Sequence, residues 1–110
     1  MQTVYVFDSG IQADLATFSG RVTTSSFCSQ SSNCAATGLE VVDEVPMGAG
    51  HGTQVASIIG GVGFGINSNV RIVDVRVLDK LGVGRVDDII AALDYVVGKG
   101  MYHRLGLVCC

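Results

Sequence analysis

The amino-acid sequence predicts an α/β fold of the doubly wound kind, in which a parallel sheet carries helices on both faces. Three observations predict it. Short runs rich in β-branched and aromatic residues alternate with stretches of helical period, in the order strand, helix, strand, helix, strand. Only 15% of the 110 residues are charged while 48% are hydrophobic, which suits elements hidden on two sides. Fifteen glycines against a single proline favour backbone packed closely on backbone over a solvated, disordered chain.

Residues 2–7 open the chain as a strand, with Thr3-Val4-Tyr5-Val6-Phe7 ending at the turn residues Asp8-Ser9-Gly10. Residues 23–48 are polar and rich in Ser, Thr and Gly, and read as a long surface excursion with one strand around Leu39 to Val42. From Gly50 to Gly61 the character changes. Gly52, Ala56 and Gly60 recur every four residues and leave one helix face almost bare, while Val55, Ile58 and Ile59 cover the rest. A helix apolar nearly all round is expected to be buried, with its glycine face admitting another backbone. Val70 to Leu78 reads as the next strand. Arg85 to Val97 then has amphipathic spacing through Val86, Ile89, Ile90, Leu93, Val96 and Val97. Asp87 and Asp88 favour its start through the helix dipole, and Gly98-Lys99-Gly100 is expected to end it. Leu105 to Cys110 begins a further strand.

Several functions are disfavoured by composition. A net charge of −3 offers no basic stripe, so no nucleic-acid partner is expected. Glycines and charges interrupt every apolar run before it reaches the length of a membrane span. Met1 leads directly into the first strand without the basic and apolar regions of an export signal. Of four cysteines, Cys28 and Cys34 flank a polar loop and either close a small disulfide in an oxidising compartment or remain free thiols. Cys109 and Cys110 end an apolar run and read as strand residues rather than metal ligands.

In an open parallel sheet, ligands bind beyond the carboxyl ends of the strands. Asp8 is placed at that end of the first strand, and His51 at the start of the first helix, facing the same edge. An aspartate bonded to one imidazole nitrogen fixes the tautomer and stabilises the imidazolium formed when the other nitrogen takes a proton. Each residue alone has an ordinary explanation: an aspartate before Ser-Gly as a turn former, a histidine between glycines as a structural or surface residue.

Their surroundings change the weighting. Val6-Phe7-Asp8-Ser9-Gly10-Ile11, Phe18-Ser19-Gly20-Arg21-Val22, Gly50-His51-Gly52-Thr53-Gln54-Val55-Ala56, Val75-Arg76-Val77-Leu78-Asp79 and Gly82-Val83-Gly84 stand in the order found in subtilisin-like serine peptidases. Several linked blocks are far more specific than one motif. The chain therefore resembles the N-terminal part of a subtilase catalytic domain over nearly its whole length outside 23–48. It is most similar to the proteinase K branch, because the segment from Gly61 to Asn69 is short. The resemblance implies the doubly wound subtilisin-like fold and serine endopeptidase chemistry, with Asp8 orienting the imidazole and His51 acting as general base and acid. It implies that Gly82, Val83 and Gly84 lend backbone groups to an extended peptide or protein substrate, with Leu78 and Ile89 beside an apolar subsite. Core packing is the alternative for both, and the one preferred for Ile89. Asp74 and Arg76 share a strand face and read as a buried or edge ion pair.

The pattern also departs from the family. Gln54 stands where a second histidine is frequent, and Leu15-Ala16 replaces the usual His-Pro. Ser25, Ser26 and Ser57 match no part of the family's Gly-Thr-Ser block, and the oxyanion asparagine is likewise unmatched. Residues 1–110 are accordingly expected to form a partial catalytic domain that needs the remainder, and to be inactive and poorly soluble or partly molten alone. No cofactor is expected. Calcium occurs in the family, but Asp14, Glu40, Asp43 and Glu44 form no recognisable ligand spacing. The family resemblance implies a secreted or vacuolar location. Two other readings remain. One is a noncatalytic subtilase-derived module that binds extended peptides or regulates a peptidase. The other is a small nucleotide-binding domain built on Gly48-Ala49-Gly50-His51-Gly52-Thr53, which lacks the lysine of a P-loop.

Overall fold

The computed structural model describes residues 2–24, 50–78, 83–100 and 105–109. Their elements follow the expected alternation. Strand β1 spans Thr3–Asp8, β2 Val22–Thr24, helix α1 His51–Gly60, β3 Arg71–Arg76, α2 Val86–Gly100 and β4 Leu105–Cys109, with a single 3₁₀ turn at Ala16–Phe18. The four strands form one sheet in the order β2-β3-β1-β4, and every pairing is parallel. Strand β1 therefore runs through the middle, with Asp8 opposite Arg76 and Val6 opposite Asp74 on one side and Val6 opposite Val108 on the other.

The period-two alternation of the strands sorts the core into two layers. On one face Val4, Val6, Val22, Val70 and Ile72 pack with Ile11, Phe18 and the α1 residues Val55, Ala56 and Ile59. On the other, Tyr5, Phe7, Val73, Val75 and Val77 pack with Ile89, Ala92, Leu93, Tyr95 and Val96 of α2. Helices on opposite faces of a parallel sheet are the doubly wound arrangement that the sequence predicts.

Four details differ from expectation. Helix α1 is not buried all round: Gly52, Ala56 and Gly60 are buried, but Ile58 is 64% exposed. A helix lying on one sheet face can hide only one stripe, and the small residues took it. In α2, Val86, Ile90 and Val97 are exposed, and Ala92 is fully buried against the sheet. The helix also runs through Gly98 to Gly100. Gly98 does not adopt the left-handed backbone that would stop it, and a glycine inside a helix costs only about 1 kcal/mol relative to alanine. Finally, the edge of the expected loop contains β2, whose three residues are too few to reveal a period. The strand expected around Leu39 to Val42 and the Cys28–Cys34 pair lie outside the described residues.

Arg21 joins the two halves of the α1 face. Its guanidinium donates to the carbonyls of Val70 (2.9 Å), Thr17 (3.5 Å) and Gly60, the last residue of α1. A cation at a helix C-terminus meets both the unpaired carbonyls and the negative end of the dipole.

Candidate active site

Strand β1 ends on Asp8, whose side chain is 1% exposed, and α1 begins on His51, whose side chain is 52% exposed. The two meet at the carboxyl edge of the sheet. His51 Nδ1 lies 2.8 Å from Asp8 Oδ2 and 3.0 Å from Oδ1, so the imidazole is held by both carboxylate oxygens. A carboxylate only accepts, so Nδ1 carries the proton in this contact, and in the neutral ring Nε2 keeps its lone pair. Asp8 Oδ1 also accepts the Ser9 backbone N–H at 2.7 Å. The main chain at Asp8 is fixed as well: its carbonyl accepts the N–H groups of Val77 (3.0 Å) and Leu78 (3.2 Å), where the chain leaves β3.

The sequence around His51 explains how α1 reaches the edge. Gly50 caps the helix with φ 44° and ψ 44°, a left-handed backbone that glycine adopts without the Cβ penalty. Its carbonyl takes the first helical bond, from Gln54 N–H at 2.9 Å. Gly52 lets the backbones touch: a Cβ built there would sit 2.0 Å from the Gly10 carbonyl oxygen and 3.3 Å from Asp8 Cβ. Two further bonds stitch the β1 exit to the helix start. Gly52 N–H donates to Ser9 Oγ at 3.2 Å, and Gln12 N–H to Thr53 Oγ1 at 2.9 Å. Ile11 N–H donates to Asp74 Oδ2 at 3.1 Å, which ties the same segment to β3.

The structure brings Asp8 and His51 together, and it adds contacts of Ser9, Thr53 and Asp74 that the sequence did not single out. Ser9 directly follows Asp8 and Thr53 stands two residues after His51, so hydroxyls inside the quoted blocks were an available signal. Asp74 and Arg76, expected to pair on their shared strand face, make two other bonds: Asp74 Oδ2 accepts the Ile11 N–H at 3.1 Å, and Arg76 Nε donates to the Leu78 carbonyl at 3.1 Å.

The expected substrate-binding residues lie close by in part. Leu78 is half-buried and follows the bond to Asp8, Val83 is 60% exposed, and Gly84 abuts them, since a Cβ there would stand 2.6 Å from the Val77 carbonyl and 2.7 Å from Leu78 Cδ2. Gly82 lies outside the described residues. Ile89 packs in the α2 core layer with Phe7 and Val75. Asp14 is exposed, and Glu40, Asp43 and Glu44 fall outside the described residues. Among the described residues no three histidine, cysteine or acidic side chains gather as metal ligands, and no helix is long and apolar enough to cross a membrane. At the start of α2, Arg85 grips Asp87 through two 3.0 Å bonds. That hydrogen bonding holds the Asp87 carboxyl below, and the guanidinium above, their ordinary ranges.

Fold and site together define a doubly wound α/β protein with a buried carboxylate gripping an accessible imidazole at its sheet edge. The model of the Subtilase family matches residues 2–102. Subtilisin-like protease 3 of Saccharomyces cerevisiae is 36% identical over 94 residues, covering 86% of this chain and 17% of its own length. The subtilase-type proteinase psp3 of Schizosaccharomyces pombe is 37% identical over 93 residues, covering 84% and 18%. The crystal structure of a cold adapted subtilisin-like serine proteinase superposes with a TM-score of 0.71 at 31% identity, covering 97% of this chain and 34% of that one. The chain belongs to the subtilase family. It spans less than a fifth of the length of these two relatives.

Proposed function

We propose that residues 1–110 form the N-terminal part of the catalytic domain of a subtilisin-like serine endopeptidase, in which Asp8 and His51 are two members of an Asp-His-Ser triad. The observation that carries this reading is the bidentate grip of the buried Asp8 carboxylate on Nδ1 of an imidazole that stays half exposed. The remainder of the domain supplies the serine, from a Gly-Thr-Ser block, and the oxyanion asparagine. Two serines of the described segments are engaged otherwise: Ser9 Oγ accepts from Gly52, and Ser57 Oγ donates to the Thr53 carbonyl at 2.8 Å.

In this mechanism Nε2 of His51 takes the proton of the serine hydroxyl as its oxygen bonds to the scissile carbonyl carbon. The imidazolium, stabilised by Asp8, then protonates the departing amine. Water repeats the sequence on the acyl-enzyme and releases the acid. The substrate is an extended peptide or protein segment lying as an added strand along Gly82, Val83 and Gly84, with an apolar side chain toward Leu78. No cofactor takes part in these steps. The family likeness supports a secreted or vacuolar setting.

The test is peptide hydrolysis by the complete protein that carries these residues together with a Gly-Thr-Ser block. Asp8→Asn removes the acceptor that fixes the tautomer and should lower kcat by about 10⁴ with little change in KM. An Asp8→Asn protein that keeps full kcat would remove Asp8 from the triad.

A further inference from the structure

The Asp8–His51 pair depends on a turn that leaves the sheet. After Asp8 the chain passes through Gly10 at φ 108°, and Ile11 then plunges into the α1-side core with no exposed surface. A buried N–H that has left its strand needs a new acceptor, because an unsatisfied one is more costly than a made bond is favourable. Asp74 provides it. This side chain is 4% exposed, lies on β3 opposite Val6 in register, and shares the α1 face with its neighbour Ile72. Its Oδ2 accepts Ile11 N–H at 3.1 Å. Ser9, two residues before Ile11, contacts both catalytic partners' frames, through its N–H to Asp8 Oδ1 and its Oγ to Gly52 N–H. Any drift of Ile11 is therefore passed to Asp8 and to the first turn of α1 together.

We propose that Asp74 is a positioning residue for the Asp8–His51 pair, acting through the Ile11 amide to fix the turn that carries Ser9. The proposal rests on reading those two residues as a working pair, but its mechanics can be read without activity. Burying an acid where a backbone carbonyl would suffice is costly, and the reach needed is short and rigid, spanning from β3 past β1 to the turn. An amide of the same shape could make the same bond, whereas an alanine or valine could not.

The experiment uses the isotope-labelled complete protein that carries these residues and reads two signals by NMR: the hydrogen-bonded Nδ1 proton of His51 and the exchange rate of the Ile11 amide. Asp74→Asn should keep the Nδ1 resonance and leave Ile11 exchange within about threefold of the parent. Asp74→Ala, and Asp74→Val as a variant that better fills the volume, should accelerate Ile11 exchange by about tenfold or more and abolish the Nδ1 resonance, while the Phe7 and Val75 amides keep their protection. Retention of the Nδ1 resonance in a variant whose Ile11 exchanges freely would overturn the proposal. So would loss of that resonance in folded Asp74→Asn, or uniform loss of protection in Asp74→Val, which would make the role one of general stability. A parent chain without any Nδ1 resonance would instead overturn the reading of the pair itself.

Discussion

Asp8 is withdrawn from water while the imidazole it grips remains accessible, and a proton shuttle needs that asymmetry. The buried carboxylate has few competing partners, so its orientation and its attraction for the imidazolium are undiluted by solvent, whereas the half-exposed ring can meet a hydroxyl and a leaving group. The pair can form because the residue after His51 has no side chain. A methyl group at Gly52 would stand 2.0 Å from the Gly10 carbonyl oxygen, a backbone atom that cannot rotate aside. Gly52→Ala should therefore destabilise the protein by about 1–3 kcal/mol and separate Asp8 from His51. Thermal unfolding combined with the His51 Nδ1 signal would measure both effects, and an alanine variant as stable as the parent would show that the two backbones can part without loss.

At the scale of elements, the sequence was most legible where a single period ran for long enough. Helices α1 and α2 were legible because small or apolar residues recur every three to four, and β1, β3 and β4 because their short runs are rich in β-branched and apolar residues. What periodicity could not reveal was which arc of a wide apolar face would be covered. Ile89, Leu93 and Val96 found the sheet, while Val86, Ile90 and Val97 did not. Strand β2 was illegible because three residues carry no period and its place depends on partners distant in sequence: Val22 and Thr24 pair with Ile72 and Asp74. Arg21 belongs to the same class of long-range effect, since nothing local announces that it will bond to carbonyls at 60 and 70. Arg21→Met should keep the aliphatic packing, leave those carbonyls short of a donor and cost about 1–3 kcal/mol in chemical denaturation. A midpoint unchanged from the parent would reduce Arg21 to a solvated side chain.

For the whole molecule, the parallel order β2-β3-β1-β4 decides where chemistry can occur. Placing β1 centrally puts Asp8 at the carboxyl edge, with the loop after β3 and the start of α1 converging on it, as the rule for open α/β sheets anticipates. The meeting of Asp8 and His51 was legible in sequence because both residues stand in compact blocks. Its supporting bonds from Ser9, Thr53 and Asp74 were not, because they join segments brought together only by the crossovers. The chain holds a carboxylate–imidazole contact at the sheet edge and belongs to the subtilase family; proton transfer by that contact is what we propose. The central claim is that His51 activates a serine nucleophile. The measurement that tests it most directly is labelling of the complete protein by a serine-directed phosphonate, with the modified residue mapped and the rate compared between parent and His51→Ala. Labelling of the serine in a Gly-Thr-Ser block is expected, slowed in His51→Ala by a factor approaching the loss of about 10⁶ in kcat that removal of the triad histidine causes in subtilisin. Labelling at the same rate without the imidazole, or no labelling of a folded complete protein, would contradict it.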